Sequence, residues 1–214
     1  MRTEGALVLL VLATMFLCAA TPGSPDRWGA PPDLFTGPQE GERAPKFSLK
    51  DLRGQEVRLE QFKGKRPIVL VTGSYSCPIY RKQLSSLEKL YEKYRKRAAF
   101  FILYTIEAHP KGQVSPYAGR EWVTEENEQQ GILVRQPSSY EERLNLASRC
   151  QQALRSNIPI LVDEMDNAVW EAYGKAPNAA YLIDSKGKVR VRQGWFEPLS
   201  FETALLEELQ EEPG

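Results

Sequence analysis

The chain is poor in metal ligands and in disulfide partners: 214 residues contain three cysteines and one histidine. The apolar run Ala6–Ala20, behind Arg2, ends in Cys18-Ala19-Ala20. It is shorter than the ~20 residues a membrane span needs. It reads as a signal peptide cleaved after Ala20, which directs the protein outside the cytoplasm, or as a retained N-terminal anchor. Cleavage leaves Cys77 and Cys150, too few with one histidine for a four-ligand zinc site or a disulfide-dense scaffold. No metal or bound cofactor is expected. Charge of one sign is also missing, since Lys+Arg and Asp+Glu are both 28. Nucleic-acid binding normally needs a basic excess, so that partner is excluded. The basic cluster Lys93–Arg97 suits the solvated C-terminal end of a helix.

What is present begins with a linker. Residues 21–42 carry Pro22, Pro25, Pro31, Pro32 and Pro38 among several glycines, which favours extended chain. The globular domain is expected over residues 43–212. Phe47–Leu49 and Val57–Leu59 flank Asp51–Gly54 as a hairpin. Ile68–Thr72 is a buried strand. Leu84, Leu87, Tyr91 and Tyr94 give the next segment one apolar helical face. Ala99–Ile106 is a second buried strand. Residues 107–138 have no period and form a long insertion with Tyr117 and Trp122. Ser139, with Glu142 three residues on, starts a helix that runs to about Leu154. A strand at Ile158–Val162, a short helix at Met165–Tyr173, a hairpin around Ser185–Gly187 and a helix at Pro198–Leu209 complete the chain. Alternating strands and helices with a final antiparallel pair indicate an α/β sandwich with a mixed sheet.

One cysteine stands where a strand passes to a helix, in Gly73-Ser74-Tyr75-Ser76-Cys77-Pro78. Backbone N–H groups and the macrodipole at a helix start favour a thiolate, which makes Cys77 the candidate nucleophile. His109 follows the second core strand in Glu107-Ala108-His109-Pro110. Residues just past parallel-strand ends line the ligand crevice. His109 there is a candidate proton donor or thiolate partner, and Glu107 a candidate for orienting it. Ser74 and Ser76 are candidates for hydrogen-bonding the thiolate. Tyr80 occupies the second cysteine of a Cys-x-x-Cys pattern, so the chain lacks the dithiol of a disulfide exchanger. Cys150 is either a small core residue or a resolving thiol that traps oxidised Cys77.

The frame Ala44-Pro-Lys-Phe-Ser-Leu, Gly54…Val57, Phe62-Lys-Gly64, strand and cysteine resembles the thioredoxin-fold redoxins. Gly73–Pro78, Tyr104-Thr-Ile-Glu107-Ala-His109-Pro110 and Tyr140-Glu-Glu-Arg143 together resemble the iodothyronine deiodinases, over about residues 44–210. The resemblance implies a thioredoxin-like fold with Cys77 at the family's selenocysteine position and His109 and Glu107 in the site. Pro177 then falls near the cis-proline that thioredoxin folds set opposite the nucleophile. The implied activity is reductive dehalogenation of an iodinated aromatic by a thiol enzyme using an external thiol reductant. A homodimer is one assembly the resemblance brings with it.

Four positions depart from the family. Selenocysteine becomes Cys77, the cysteine two positions earlier becomes Tyr75, a histidine becomes Pro137, and an arginine aligns with Trp195. The last two are thought to hold the hormone in the family, so their loss separates the redox centre from the hormone substrate. Two other classes remain open on the residues. A thiol peroxidase would use the same thiolate on a peroxide, although Leu70 and Ser74 occupy the Pro and Thr places of a peroxiredoxin. A non-enzymatic thioredoxin-fold module is the other, although Arg81 stands where a copper carrier of this fold has its second cysteine.

Overall fold

The computed structural model describes residues 36–211. The leader and most of the linker lie outside the described residues. Among the described residues no helix is long and apolar enough to cross a membrane.

Seven strands form one mixed sheet in the order β2-β1-β5-β4-β3-β6-β7. β1 (Ser48–Asp51) and β2 (Glu56–Arg58) are the expected hairpin, closed by Asp51, whose carboxylate accepts the Arg53 and Gln55 amides. β3 (Ile68–Gly73) and β4 (Ala99–Tyr104) pair in parallel at the centre, and β5 (Ile160–Val162) pairs in parallel with β4. β6 (Ala180–Ile183) runs antiparallel to β3, and β7 (Val189–Gln193) antiparallel to β6.

β3 and β4 are buried on both faces, which is why their sequences are nearly continuous apolar runs. Alternate side chains then feed two cores. Val69, Val71, Phe100 and Ile102 face a cluster that includes residues of α1 (Pro78–Tyr94), α3 (Tyr140–Leu154) and α5 (Pro198–Glu211). Ile68, Leu70, Phe101 and Leu103 face the other, with Phe47, Leu59 and Val169 of α4 (Ala168–Ala172). Each fully buried aliphatic side chain contributes about 1.5–3 kcal/mol. The central pair is therefore a rigid base for whatever its C-terminal ends carry.

Two sequence expectations change. Residues 36–42 do not all belong to a free linker: the Gly41 amide donates to the Val189 carbonyl, and Arg43 bridges to Lys188. A Cβ on Gly37 would lie 2.5 Å from the Tyr181 hydroxyl, so this stretch lies tight against the domain. The insertion carries a helix of its own, α2 (Glu125–Gln129), capped by the Thr124 hydroxyl. The basic cluster Lys93–Arg97 is the exposed C-terminal end of α1, as expected, with Lys93 paired to Glu202 at 2.7 Å and Arg97 donating to the Leu209 carbonyl.

Candidate active site

Cys77 is the N-cap of α1, where the sequence places it. Its sulfur accepts the Tyr80 amide at 3.4 Å, and Pro78 fills the first helical position, which has no amide to satisfy. Gly73, the last residue of β3, must be glycine for a packing reason. A Cβ there would lie 2.5 Å from the Tyr80 ring.

The electrostatic result differs from the sequence expectation. Cys77 is only 1 % exposed, and burial pushes its thiol up to about 11 against the pull of the Tyr80 and Ile79 amides and the Arg81 guanidinium. A helix start donates to the sulfur, but it does not outweigh the loss of water. In this conformation Cys77 is a covered thiol, not a thiolate.

Arg81 was singled out in the sequence only as a missing copper ligand. One helical turn beyond Cys77, it is 5 % exposed at the side chain and bears the cation of the site. It donates to the Tyr75 carbonyl at 2.7 Å, to Asn127 Oδ1 at 2.7 Å and to Gln130 Oε1 at 3.1 Å. Asn127 in turn donates to the Ser76 carbonyl at 2.8 Å. The insertion helix α2 is thereby latched onto the loop that carries the thiol. No periodicity signals Arg81 or Asn127, because their shared contacts join α1, the Cys77 loop and the insertion rather than one repeating face.

Ser74 and Ser76 do not serve the sulfur as expected. Ser74 Oγ accepts the Ala108 amide at 3.2 Å and Ser76 Oγ accepts the His109 amide at 3.0 Å. They fasten the loop after β4 to the loop after β3. Both oxygens accept because two buried amides need acceptors, and the Ser76 hydroxyl also bonds the Glu107 carboxyl.

Glu107 is fully buried. Its carboxyl accepts the Ser76 amide at 2.8 Å and the Tyr104 hydroxyl, and the Tyr104 hydroxyl accepts the Tyr75 amide at 3.2 Å. Burial raises its pKa, although these donors oppose the shift. Gln136 holds its backbone from both sides, accepting its amide at 2.9 Å and donating to its carbonyl at 2.7 Å. Glu107 makes no contact that orients the imidazole, so it is a fastening for the Cys77 loop.

His109 is 8 % exposed, and its ring meets Trp122 edge to face with centroids 4.3 Å apart. Nδ1 lies 3.1 Å from the Trp122 carbonyl. A carbonyl only accepts, so Nδ1 carries the proton and Nε2 keeps its lone pair. Burial lowers the imidazole pKa, which Arg81 reinforces and the Trp122 carbonyl opposes. The resting His109 is a neutral base. The sequence expectation of a proton donor holds only after it has taken a proton.

Cys150 is buried and free, as Cys77 is. The Tyr80 hydroxyl donates to its sulfur, and burial pushes its pKa far up. Tyr80 touches one sulfur with its amide and the other with its hydroxyl. Both sulfurs are free thiols in this conformation, with no disulfide between them.

Pro177 lies in the loop before β6, beside the end of β3, where Thr72 donates to the Ala176 carbonyl and accepts the Ala179 amide, each at 2.8 Å. Its peptide bond is trans, against the cis-proline expectation. Arg143 of the Tyr140–Arg143 motif ties α3 to the loop after β5, donating to the Asp163 and Glu164 carbonyls and to Asn167.

The sequence pattern of the iodothyronine deiodinases matches residues 29–211. The human thyroxine 5-deiodinase is 30 % identical over 155 residues, 72 % of this chain and 47 % of that protein. The Xenopus laevis type I iodothyronine deiodinase is 29 % identical over 150 residues, 70 % of this chain and 54 % of that protein. The chain spans about half the length of the curated relatives it matches. Among solved structures, the thioredoxin domain of a thiol-disulfide oxidoreductase from Bacteroides vulgatus superposes with a TM-score of 0.53 at 17 % identity, covering 77 % of this chain and 95 % of that one. A secreted Mycobacterium tuberculosis disulfide oxidoreductase superposes at 0.51 and 12 % identity, covering 75 % and 95 %. These likenesses show a thioredoxin-like fold. The chain belongs to the iodothyronine deiodinase family.

Proposed function

We propose that the protein is a thiol-dependent reductive dehalogenase of iodinated aromatics, with Cys77 as nucleophile. The observation that carries the reading is the convergence of a helix-capped thiol, the buried Arg81 cation and a neutral His109 on two loops fastened to each other. Arg81 stabilises negative charge on sulfur, and Nε2 of His109 is an available base.

The chemistry starts when the latch opens and water or substrate reaches the sulfur. His109 takes the thiol proton. The thiolate attacks the iodine of the arene, so that an S–I bond forms and the C–I bond breaks. The C–I electron pair stays on carbon, and His109 returns its proton there. Cys77 is now oxidised to a sulfenyl iodide and the arene is reduced. An external thiol displaces iodide to give a mixed disulfide. A second external thiol releases Cys77 and leaves as the disulfide product. Sulfur is less polarisable than selenium, so turnover is slower than with selenocysteine.

Iodide release from 3-iodotyrosine with dithiothreitol tests the reading, in wild type and Cys77→Ser, with hydrogen peroxide as a parallel substrate. The wild type is expected to release iodide and the variant none above the uncatalysed rate. Peroxide consumption without iodide release would make the protein a peroxidase instead. Inertness toward both would leave it a binding module.

A further inference from the structure

The chain is neutral overall, but its charge is divided between the two ends of the sheet. The end that carries Cys77 holds acidic groups: Glu125, Glu126 and Glu128 in the first turn of α2, and Glu141 and Glu142 in that of α3. The opposite end is built from loops that backbone bonds hold together. The Gly64 amide donates to the Ser185 carbonyl at 2.7 Å, the Ala44 amide to the Gly187 carbonyl at 3.0 Å, and the Ala99 amide to the Pro67 carbonyl at 2.9 Å. Those bonds gather residues 63–66 before β3, the 184–188 turn between β6 and β7, and residues 95–98 between α1 and β4 onto one surface. β3 separates that surface from the Cys77 loop by about 20 Å, the length of its extended residues.

This second surface is basic because its cations outnumber the carboxylates beside them. Lys63, Lys65, Lys96, Lys186 and Lys188 are exposed, and among the described residues none of their side chains makes an ion pair or a hydrogen bond. Arg66 lies over the Phe62 ring, 5.6 Å from its centroid, and Arg95 over the Tyr91 ring at 5.8 Å. Stacking holds a guanidinium by its face and keeps its N–H edge for an anion. Both arginines line an open groove of about 220 Å³ with Phe62, Tyr91 and Phe100. The carboxylates of this end are engaged: Glu60 with Lys46 at 3.4 Å, Glu92 with Arg95 at 3.3 Å, and Asp184 with the Lys188 amide at 2.7 Å.

We infer that this basic end is a docking face for an anionic lipid bilayer, its lysines set against headgroup phosphates and the groove of Arg66 and Arg95 taking one phosphate. The cations are spread over several loops rather than gathered in a cleft, so they match a laterally extended layer of phosphates. At physiological salt, exposed charges more than about 8 Å apart are largely screened. A surface that touches this end therefore feels the lysines and not the distant acids, although the chain as a whole is neutral. Turned the other way, the domain presents carboxylates and is repelled. Docking thus leaves the Cys77 loop facing away from the lipid and unobstructed. The inference stands apart from the dehalogenase reading.

Co-sedimentation of the full chain with vesicles of phosphatidylcholine, with and without phosphatidylglycerol, tests the face. A retained Ala6–Ala20 segment partitions into both, so the difference between the two vesicles is the readout. Partition into the phosphatidylglycerol vesicles is expected to be at least about tenfold stronger, and to weaken as salt is added. Lys63→Glu/Lys65→Glu/Lys96→Glu should remove most of that preference. Lys111→Glu/Arg120→Glu/Arg135→Glu makes the same charge change at the Cys77 end and should keep it. All six residues are exposed, so an unchanged thermal transition should accompany both results. If the first triple variant fails to fold, each single variant is measured, and each should weaken the preference several-fold. Equal partition into the two vesicles, an undiminished preference in the first variant, or equal losses in both variants would overturn the proposal. Binding to heparin in solution without any preference for phosphatidylglycerol would also overturn it, and would give the face to a soluble polyanion.

Discussion

The two cysteines of the domain are both buried, both free and both raised in pKa, yet their surroundings differ. Cys77 stands at a helix start with two amides directed at it and the charge of the Arg81 guanidinium nearby. Cys150 lies in the third turn or beyond of α3 with the Tyr80 hydroxyl as its sulfur's donor. Burial penalises both thiolates. Uncovering Cys77 removes that penalty while the helix amides and Arg81 stay in place. Uncovering Cys150 leaves a thiolate late in α3 with one neutral donor. What distinguishes a reactive thiol from a core thiol here is the set of groups that remain after the cover is lifted, not the resting pKa.

Several experiments break or sharpen that contrast. Substituting the two cysteines should give the largest difference. Cys77→Ser is expected to abolish thiol-dependent iodide release, while Cys150→Ala keeps most of it, at a stability cost of about 1–2 kcal/mol from the small cavity. Equal losses in the two variants would join the cysteines into one redox pair. His109→Gln keeps a side-chain donor for Trp122 but removes the base, and should lower turnover by about 10²–10⁴. Arg81→Met should lower it by about tenfold or more and raise the Cys77 pKa further, read by the pH dependence of iodoacetamide alkylation.

Cutting the latch should act in the opposite sense on reactivity. Asn127→Ala removes the bond from α2 to the Ser76 carbonyl, so Cys77 alkylation should speed up several-fold and its midpoint should fall from about 11, with Cys150 unaffected. The smallest effect is on stability against pH. The folded Cys77 keeps its proton up to about 11, whereas the unfolded thiol loses it near 9. The unfolded chain then binds fewer protons between these values, so stability should fall as pH rises through that window. His109 is lowered and contributes oppositely: its share is complete above its unfolded pKa and shrinks as pH falls through and below it. Urea titrations of wild type and His109→Gln across pH 5–10 would show both slopes.

Much of this was legible in the residues. β3 and β4 were readable because burial on both faces demands continuous apolar runs, and α3 because Ser139 and Glu142 mark its start. The strand-to-helix position of Cys77 followed from the same reasoning. The state of the thiol did not, because desolvation depends on tertiary packing around the helix start, which no local periodicity reports. Ser74 and Ser76 were misread for a related reason. Their hydroxyls lie close in sequence to the sulfur, but the unsatisfied amides of Ala108 and His109 are their partners across the sheet end. Arg81 and Asn127 look like ordinary surface residues until the latch is seen. Pro177 was placed by analogy alone, and its trans peptide gives the loop a different geometry.

Single-turnover chemistry tests the central claim most directly. Reduced wild-type protein, freed of reductant, is mixed with excess 3-iodotyrosine, quenched and mapped by mass spectrometry. The account predicts at most one equivalent of tyrosine per chain and oxidation confined to Cys77, with dithiothreitol then restoring turnover. Tyrosine formation with Cys77 still reduced, or oxidation that appears first on Cys150, would contradict it.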